Sequence, residues 1–441
     1  MTRPRQPALL SLGPLVAVMF FTVSGGPFGV EGLVGSVGPG VAILLLVLTP
    51  LLYSVPETLI IGELASMLPA EGGYYQWVKR AFGSFAGFTN GWLSWMYSLA
   101  DMALYPALFL QYLQFFTGPI GALQSWGLKL ALIWGATWMN LRGTRTVGLA
   151  SGWFVALVVA PFAGLTVGAA LAWSGHPGAA FAAAPFRASG ATFLGALGLG
   201  ISQSVWNYSG WDNASTVGGE IEESGRTYPR ALVRALPLVT VVYLLAVVPV
   251  LAVTDWKVWT DGAWPEIARA VGGRWLAAWI AAAGMISAFA LFNALLLVYS
   301  RIPLVLARDR LLPAALDATD ERGTPRRAVV ASAVGYSVFA AFHFGELLAA
   351  DVLLYTAALA MEFAALLALR HREPQLVGSF RVPVRVPALA GLAALPVLVL
   401  ALAVALEVRN TVNGLVGVLV AAACGAVGPA VFAALRRRAG R

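Results

Sequence analysis

Residues Thr22 to Glu31 read TVSGGPFGVE and interrupt an apolar run that begins PALLSLGPLVAVMFF (Pro7–Phe21) and resumes GLVGSVGPG (Gly32–Gly40). Gly25, Gly26 and Gly29 permit backbone that no helix adopts, and Pro27 removes a donor and breaks the hydrogen-bond ladder. In lipid, the freed N–H and C=O groups are tolerated only where they face protein, a cavity or a ligand. A break here therefore predicts a functional interior, the alternative being a proline kink that merely packs.

The surrounding chain is membrane-like. Over 441 residues it is 59% hydrophobic and 11% charged, against a charged fraction of about a quarter in soluble domains, and its mean hydropathy is +0.77. A span needs about 20 apolar residues. The runs give an all-α membrane protein of about twelve helices, at 8–36, 41–66, 84–115, 124–141, 147–173, 191–218, 232–254, 273–300, 328–344, 347–369, 386–406 and 412–435. Period-two alternation is absent, so a membrane barrel is excluded. The first apolar core is too long for a removable signal peptide. Cys424, the single cysteine, permits no internal disulfide.

With the N-terminus in the cytoplasm, 23 of the 29 Lys and Arg fall on the inner side, and only Lys129, Arg187, Lys257, Arg269, Arg274 and Arg409 fall at or near the outer side. That asymmetry predicts a multi-pass protein of the cell (inner or plasma) membrane with both termini cytoplasmic. Topology and anionic lipid explain the net charge of +8, so nucleic acid is not an expected partner. No loop is long enough for a soluble domain. WKVWTDGAWPEIARAVGG (Trp256–Gly273) suggests a short amphipathic helix on the outer membrane surface.

The sixth run repeats the oddity of the first. It leads into SQSVWNYSGWDNASTVGGE (Ser202–Glu220), with Ser209, Gly210 and Asp212 where helix should continue. Interrupted first and sixth helices in two five-helix halves point to an inverted-repeat transporter whose substrate site lies between the breaks. The repeats are read at about 8–173 and 191–370, with two extra helices at 386–435, all in one transmembrane domain.

These segments resemble the amino acid, polyamine and organocation (APC) superfamily. VSGGPFGVE is similar to its first-helix glycine motif, and GELASMLPAEGGYYQWVKRAFG, with Glu63, Pro69, Gly72, Gly73 and Tyr74, is similar to the stretch after its second helix. VPETLIIGELA, GGYYQWV, DMALYPALFLQYL, WDNASTVGGEIE, WTDG and FRVPV resemble the plant polyamine uptake carriers and their bacterial relatives. The eighth helix, ISAFALFNALLLVYSRIPLVLARDRLLP, departs from those carriers and is closer to the amino acid permeases.

An intramembrane carboxylate costs at least ~2.5 kcal/mol at the helix centre on insertion scales. Glu31, Glu57, Glu63, Asp101, Asp212 and Glu362 lie at plausible membrane depth with no buried Lys or Arg evident. A cationic substrate or a titrating proton is expected. Asp212 occupies a position that is acidic in the arginine/agmatine exchangers the resemblance brings in, and Trp206 stands where those proteins use a tryptophan. Asp212 is read as an amine-binding or proton-linked carboxylate, with Trp206, Tyr208 and Trp211 as a cation–π wall; its alternative role is a helix cap. Ser98, Asp101 and Tyr105, at i, i+3 and i+7, form one polar stripe, making Asp101 a second amine or proton site or a structural hydrogen-bonding group. Tyr355 and Glu362 repeat the spacing, and Glu362 is placed to bind the far amine of a long substrate or to anchor a loop. Glu31 suits the start of a half-helix and is the third coupling candidate. Glu57 and Glu63 are read as ties between helices and loops.

For an amino acid substrate, the N–H groups of Ser24, Gly25, Gly26 and Gly29 would hold the carboxylate, and carbonyls from Tyr208 through Ser209 to Gly210 the ammonium. Proton coupling is favoured over sodium, because the eighth helix offers only Ser287 and Asn293 near the required depth. The lysine that some proton-linked relatives carry on the fifth helix is missing from SGWFVALVVAPFAGLTVGAALAW (Ser151–Trp173). No catalytic constellation, metal site, cofactor motif or Walker A loop is read, and His176, His343 and His371 are scattered.

The expected function is thus a proton-coupled secondary transporter importing organic amines, a polyamine or basic amino acid, by alternating access, with a monomer sufficient. A neutral amino acid permease is the alternative. A non-transporting amine sensor would be expected to append a signalling domain, and none is read.

Overall fold

The computed structural model describes residues 10–142, 145–173, 193–320, 323–410 and 412–439. Arg3, Arg5, His176, Arg187, Arg322, Arg441 and the starts of the runs at 8 and 191 lie outside the described residues. The described chain is helical, and its β pairing is limited to the isolated bridges Leu10–Ile221 and Glu71–Val217.

The first run is two helices, α1 (Leu12–Val23) and α2 (Val30–Val37), separated by the glycine-proline segment. The second is α3 (Pro39–Thr49) and α4 (Val55–Met67), joined by a π-helical turn at Pro50–Ser54. Then follow α5 (Gly73–Phe82), α6 (Ser84–Thr117), α7 (Ala122–Leu141), α8 (Arg145–Ala172) and α9 (Phe193–Asn207). The rest are α10 (Ser224–Leu251), α11 (Trp264–Tyr299), α12 (Arg301–Arg308), α13 (Arg326–Phe339), α14 (Phe344–Arg372), α15 (Val386–Asn410) and α16 (Val412–Ala439). Among the described residues six spans are long and apolar enough to cross a bilayer: α3 with α4, α10, α11 with α12, α14, α15 and α16. Leu123, Leu171, Trp275 and Val412 are more than three-quarters exposed, an outward apolar surface that suits lipid and not water. The protein is therefore a multi-pass membrane protein.

At the centre α6 packs against α11 and α14, with α5 wedged between α6 and α14. On the other side α1 lies on α8 and α10, and α4 lies on α10. The breaks thus sit in the middle of the bundle, where Ser24, Phe28, Tyr208 and Trp211 are buried.

One expectation is corrected. After Asn207 the sixth run does not resume as α-helix: Asn213–Thr216 and Gly218–Glu220 are 3-10 turns. Its short polar residues and glycines compete with or weaken an α-helical ladder. The segment Trp256–Gly273 is amphipathic as its sequence suggests, with Glu266 and Arg269 exposed on one face. It makes a short turn and a helix that kinks at Gly273 (φ 74°), and its Trp259, Trp264, Ile267 and Ala268 are fully buried. It caps the first break, because Trp264 Nε1 donates to Pro27 O at 2.7 Å and Gly262 N to Glu31 Oε1 at 3.0 Å.

Glu63 is a structural tie, as its sequence position suggests. Arg370 Nε donates to its Oε1 at 2.7 Å, and Val382 N donates to its Oε2 at 2.8 Å, fixing α4 to α14 and to the segment before α15.

Candidate functional site

The first break accounts for most of its own backbone, as buried main chain must. Ser24 N and Gly25 N donate to Phe20 O, at 2.9 and 3.1 Å. Gly26 N donates to Ser24 Oγ at 3.1 Å, and Gly29 N to Glu31 Oε2 at 2.8 Å. Among the carbonyls, Gly25 O accepts from Ser287 Oγ and Pro27 O from Trp264. The four amides expected to hold a substrate carboxylate thus each have an acceptor within the protein. Glu31, fully buried at the start of α2, also accepts from Tyr112 OH at 2.6 Å. It clasps the break, α6 and the loop before α11 together.

Gly25 shows why glycine is required. Its φ is +60°, and a Cβ there would lie 2.2 Å from Leu291 Cδ1 and 2.9 Å from Ser287 Oγ. Left-handed backbone costs a side chain about 1–2 kcal/mol and overpacking about 1–3 kcal/mol. Gly25→Ala is therefore expected to lower the melting temperature of the purified protein clearly, and a variant melting with its parent would show that the break is looser than described.

The second break is satisfied by its neighbours. Ser54 Oγ donates to Tyr208 O at 3.3 Å, Tyr243 OH to Asn207 O at 2.8 Å and Tyr228 OH to Trp211 O at 2.7 Å. Ser209 Oγ lies 3.1 Å from Tyr53 OH. The π-helical turn, the kind of irregularity that recurs at functional sites, carries Tyr53 and Ser54. The breaks also touch: a Cβ on Gly210 (φ +96°) would be 3.1 Å from Thr22 O, and one on Gly29 would be 2.9 Å from Trp206.

Between them is a cavity of ≈ 20 Å³ lined by Ser24 and Phe28 of the first break, Trp206 and Asn207 of the second, Tyr105 and Tyr112 of α6, and Ser287 of α11. It has room for about one water molecule, so the breaks are closed around it. Asp101 stands behind its wall: Oδ1 accepts from Tyr105 OH at 2.9 Å and Trp206 Nε1 at 3.2 Å, and Oδ2 from Tyr299 OH at 2.9 Å. Asp351 of α14, 5% exposed, interacts electrostatically with Asp101. It is missing from the residues picked out by sequence, although its spacing to Tyr355 (i, i+4) puts it on the stripe that carries Glu362.

A second acidic focus lies apart from the cavity lining. Tyr355 OH is 2.7 Å from Asp212 Oδ1 and 2.7 Å from Glu57 Oε1, and accepts from Gly210 N at 3.1 Å. Glu362, fully buried, meets Asn90 Nδ2 at 3.4 Å and interacts with Asp212 and Glu57. Glu57 is thus no tie to a loop; the turn of α4 aims it into the core. Asp212 is no cap either, since it makes no capping hydrogen bond to the turn that follows.

Of the expected aromatic wall, only Trp206 lines the cavity, with Tyr105 beside it at 6.2 Å between ring centroids. Tyr208 turns away to donate to Leu46 O at 3.0 Å, and Trp211 is buried outside the lining. On the stripe of α6, Ser98 Oγ returns to Trp95 O at 2.7 Å. Asn293 is taken by Asn140, whose Nδ2 donates to its Oδ1.

Residues 13–424 match the family model described as amino acid permease. The chain is 33% identical over 424 residues to "Polyamine transporter PUT1" of Oryza sativa subsp. japonica, covering 92% of this chain and 75% of the relative. It is 34% identical over 386 residues to "Polyamine transporter RMV1" of Arabidopsis thaliana, covering 85% and 75%, and 32% identical over 429 residues to a second Arabidopsis protein named as a probable polyamine transporter, covering 95% and 87%. An apolar helical bundle with paired central breaks, matched by that family over nearly its whole length, makes this chain a membrane transporter rather than an enzyme and a member of the amino acid permease family of the APC superfamily.

Proposed function

We propose that the protein is a proton-coupled secondary transporter that imports organic amines, polyamines or basic amino acids, across the cytoplasmic membrane by alternating access. In this reading about twelve spans comprise a five-plus-five inverted repeat, about 8–173 and 191–370, with two further helices at about 386–435 and both termini in the cytoplasm. A monomer suffices.

The observation that carries the reading is Asp101: a buried carboxyl with three neutral donors, its partners Tyr105 and Trp206 forming the wall of a cavity between the two breaks. A protonated amine entering there would meet two aromatic side chains with a carboxylate behind them, the pair of features that recognises organic cations. Relatives named as polyamine transporters support the same substrate class. Asp101 then takes the amine, while Asp212, beside Tyr355 and Glu362, serves the coupling proton or the far end of a longer substrate; Glu31 holds the outer end of the first break. The neutral amino acid alternative is less supported, since a carboxylate would have to displace Ser24 Oγ and Glu31 from the amides of Gly26 and Gly29.

Purified protein in liposomes with an inward proton gradient should accumulate labelled putrescine, spermidine or arginine above equilibrium. Accumulation of neutral amino acids alone would overturn the cationic reading.

A further inference from the structure

A phenol has one proton to donate and two lone pairs to accept with. Tyr355 OH lies 2.7 Å from Glu57 Oε1, 2.7 Å from Asp212 Oδ1 and 3.1 Å from Gly210 N. The amide fills one lone pair and the phenol proton serves one carboxyl. The contact with the other carboxyl is a hydrogen bond only if that carboxyl brings its own proton.

The surroundings supply no substitute. The groups facing the three carboxyls are Tyr53 beside α4, Tyr74 of α5, Tyr97 of α6, Tyr228 of α10 and Tyr355 of α14. Among the described residues no lysine, arginine or histidine pairs with Glu57, Asp212 or Glu362, and the buried Arg370 is held by Glu63. Independently, the Tyr74 hydroxyl, Glu57 Oε2 and Glu362 Oε2 are buried without a hydrogen-bond partner. Three adjacent carboxylates, two of them with an orphaned oxygen, and no cation would be untenable in so dry a place.

We infer that Glu57, Tyr355 and Asp212 form a binding site for one proton, shared across the phenol, and that this proton is the one translocated with the amine. Transfer balances without any co-reactant: Asp212 O–H gives its proton to the Tyr355 oxygen as Tyr355 O–H passes its own to Glu57 Oε1. The net result is one proton moved from Asp212 to Glu57. The three residues belong to the second break, α4 and α14. Moving these elements apart leaves one acid and one carboxylate, so proton occupancy depends on conformation, as coupling requires. Asn213 connects the triad to the amine side, since its Nδ2 donates to Tyr299 OH at 3.1 Å and Tyr299 OH donates to Asp101. The translocation half rests on the transport reading above; the shared proton does not.

Infrared difference spectra of the purified full-length protein at neutral pH test the first half. Glu57→Gln and Asp212→Asn should each remove carbonyl-stretch intensity of a protonated carboxylic acid, and Tyr355→Phe should shift that band. Difference spectra flat in this region for all three variants would overturn the site, and the Tyr355→Phe reading stands even if a carboxyl variant fails to fold. In liposomes, one unit of pH gradient should raise wild-type putrescine accumulation about tenfold per coupled proton. Glu57→Gln should lose that factor; keeping it would overturn the translocation half. A wild-type protein that accumulates no amine would instead defeat the transport reading, with the infrared result intact.

Discussion

Asp101→Asn is expected to abolish amine uptake while leaving the fold in place. The carboxyl accepts hydrogen bonds from Tyr105, Trp206 and Tyr299, and an amide of the same shape keeps an acceptor oxygen for part of that set. What it removes is the charge behind the cavity wall, and it turns donors toward donors. Losing one partner of a buried charged pair costs about 2–5 kcal/mol, which corresponds to a fall in kcat/KM of roughly thirty-fold to several thousand-fold. Asp351 nearby does not replace it, because no donor set of that kind is gathered around it. Initial-rate uptake of putrescine into liposomes, with gel filtration to check folding, reads the effect. Uptake within about twofold of wild type would remove Asp101 from the substrate site.

The largest effect on stability is expected at Glu63→Gln. The Glu63–Arg370 pair is 2% and 3% exposed at its side chains. Arg370 further donates to Val384 O at 2.7 Å and Val382 O at 2.8 Å. Neutralising Glu63 strands a buried guanidinium, with a cost of about 3–5 kcal/mol, whereas removing both charges together costs less. Thermal melts of the purified protein should therefore rank wild type highest, the double variant Glu63→Leu/Arg370→Met in between, and Glu63→Gln lowest. A Glu63→Gln protein melting with wild type would show that the pair does not hold α4, α14 and the segment before α15 together.

These two residues differ in how legible they were. Glu63 sits in a stretch rich in small and turn-forming residues, and its role as a tie could be read from chain position. Asp101 stands on a stripe at helical spacing, which says that it faces inward and nothing about what it meets. Trp206 was readable as a site residue through the resemblance, since it stands where the arginine/agmatine exchangers use a tryptophan. Tyr208 and Trp211, equally aromatic and equally close to the break, point elsewhere: in nonhelical backbone no period relates neighbouring side chains to one face.

The sequence alone determined that the chain lies in a membrane and that its first and sixth segments leave the helix at their glycines; its reading that no buried cation meets the acids fails at Glu63, which Arg370 holds. The first two are local matters, decided by hydrophobicity over about 20 residues and by the backbone chemistry of glycine and proline. Only the tertiary structure decided which acids meet. Glu57 and Tyr355 are 298 positions apart, and Tyr355 and Asp212 are 143 apart, yet they share hydrogen bonds. The rotation of each helix about its axis, fixed by packing against all its neighbours at once, sets such encounters, and no periodicity within a single helix encodes it.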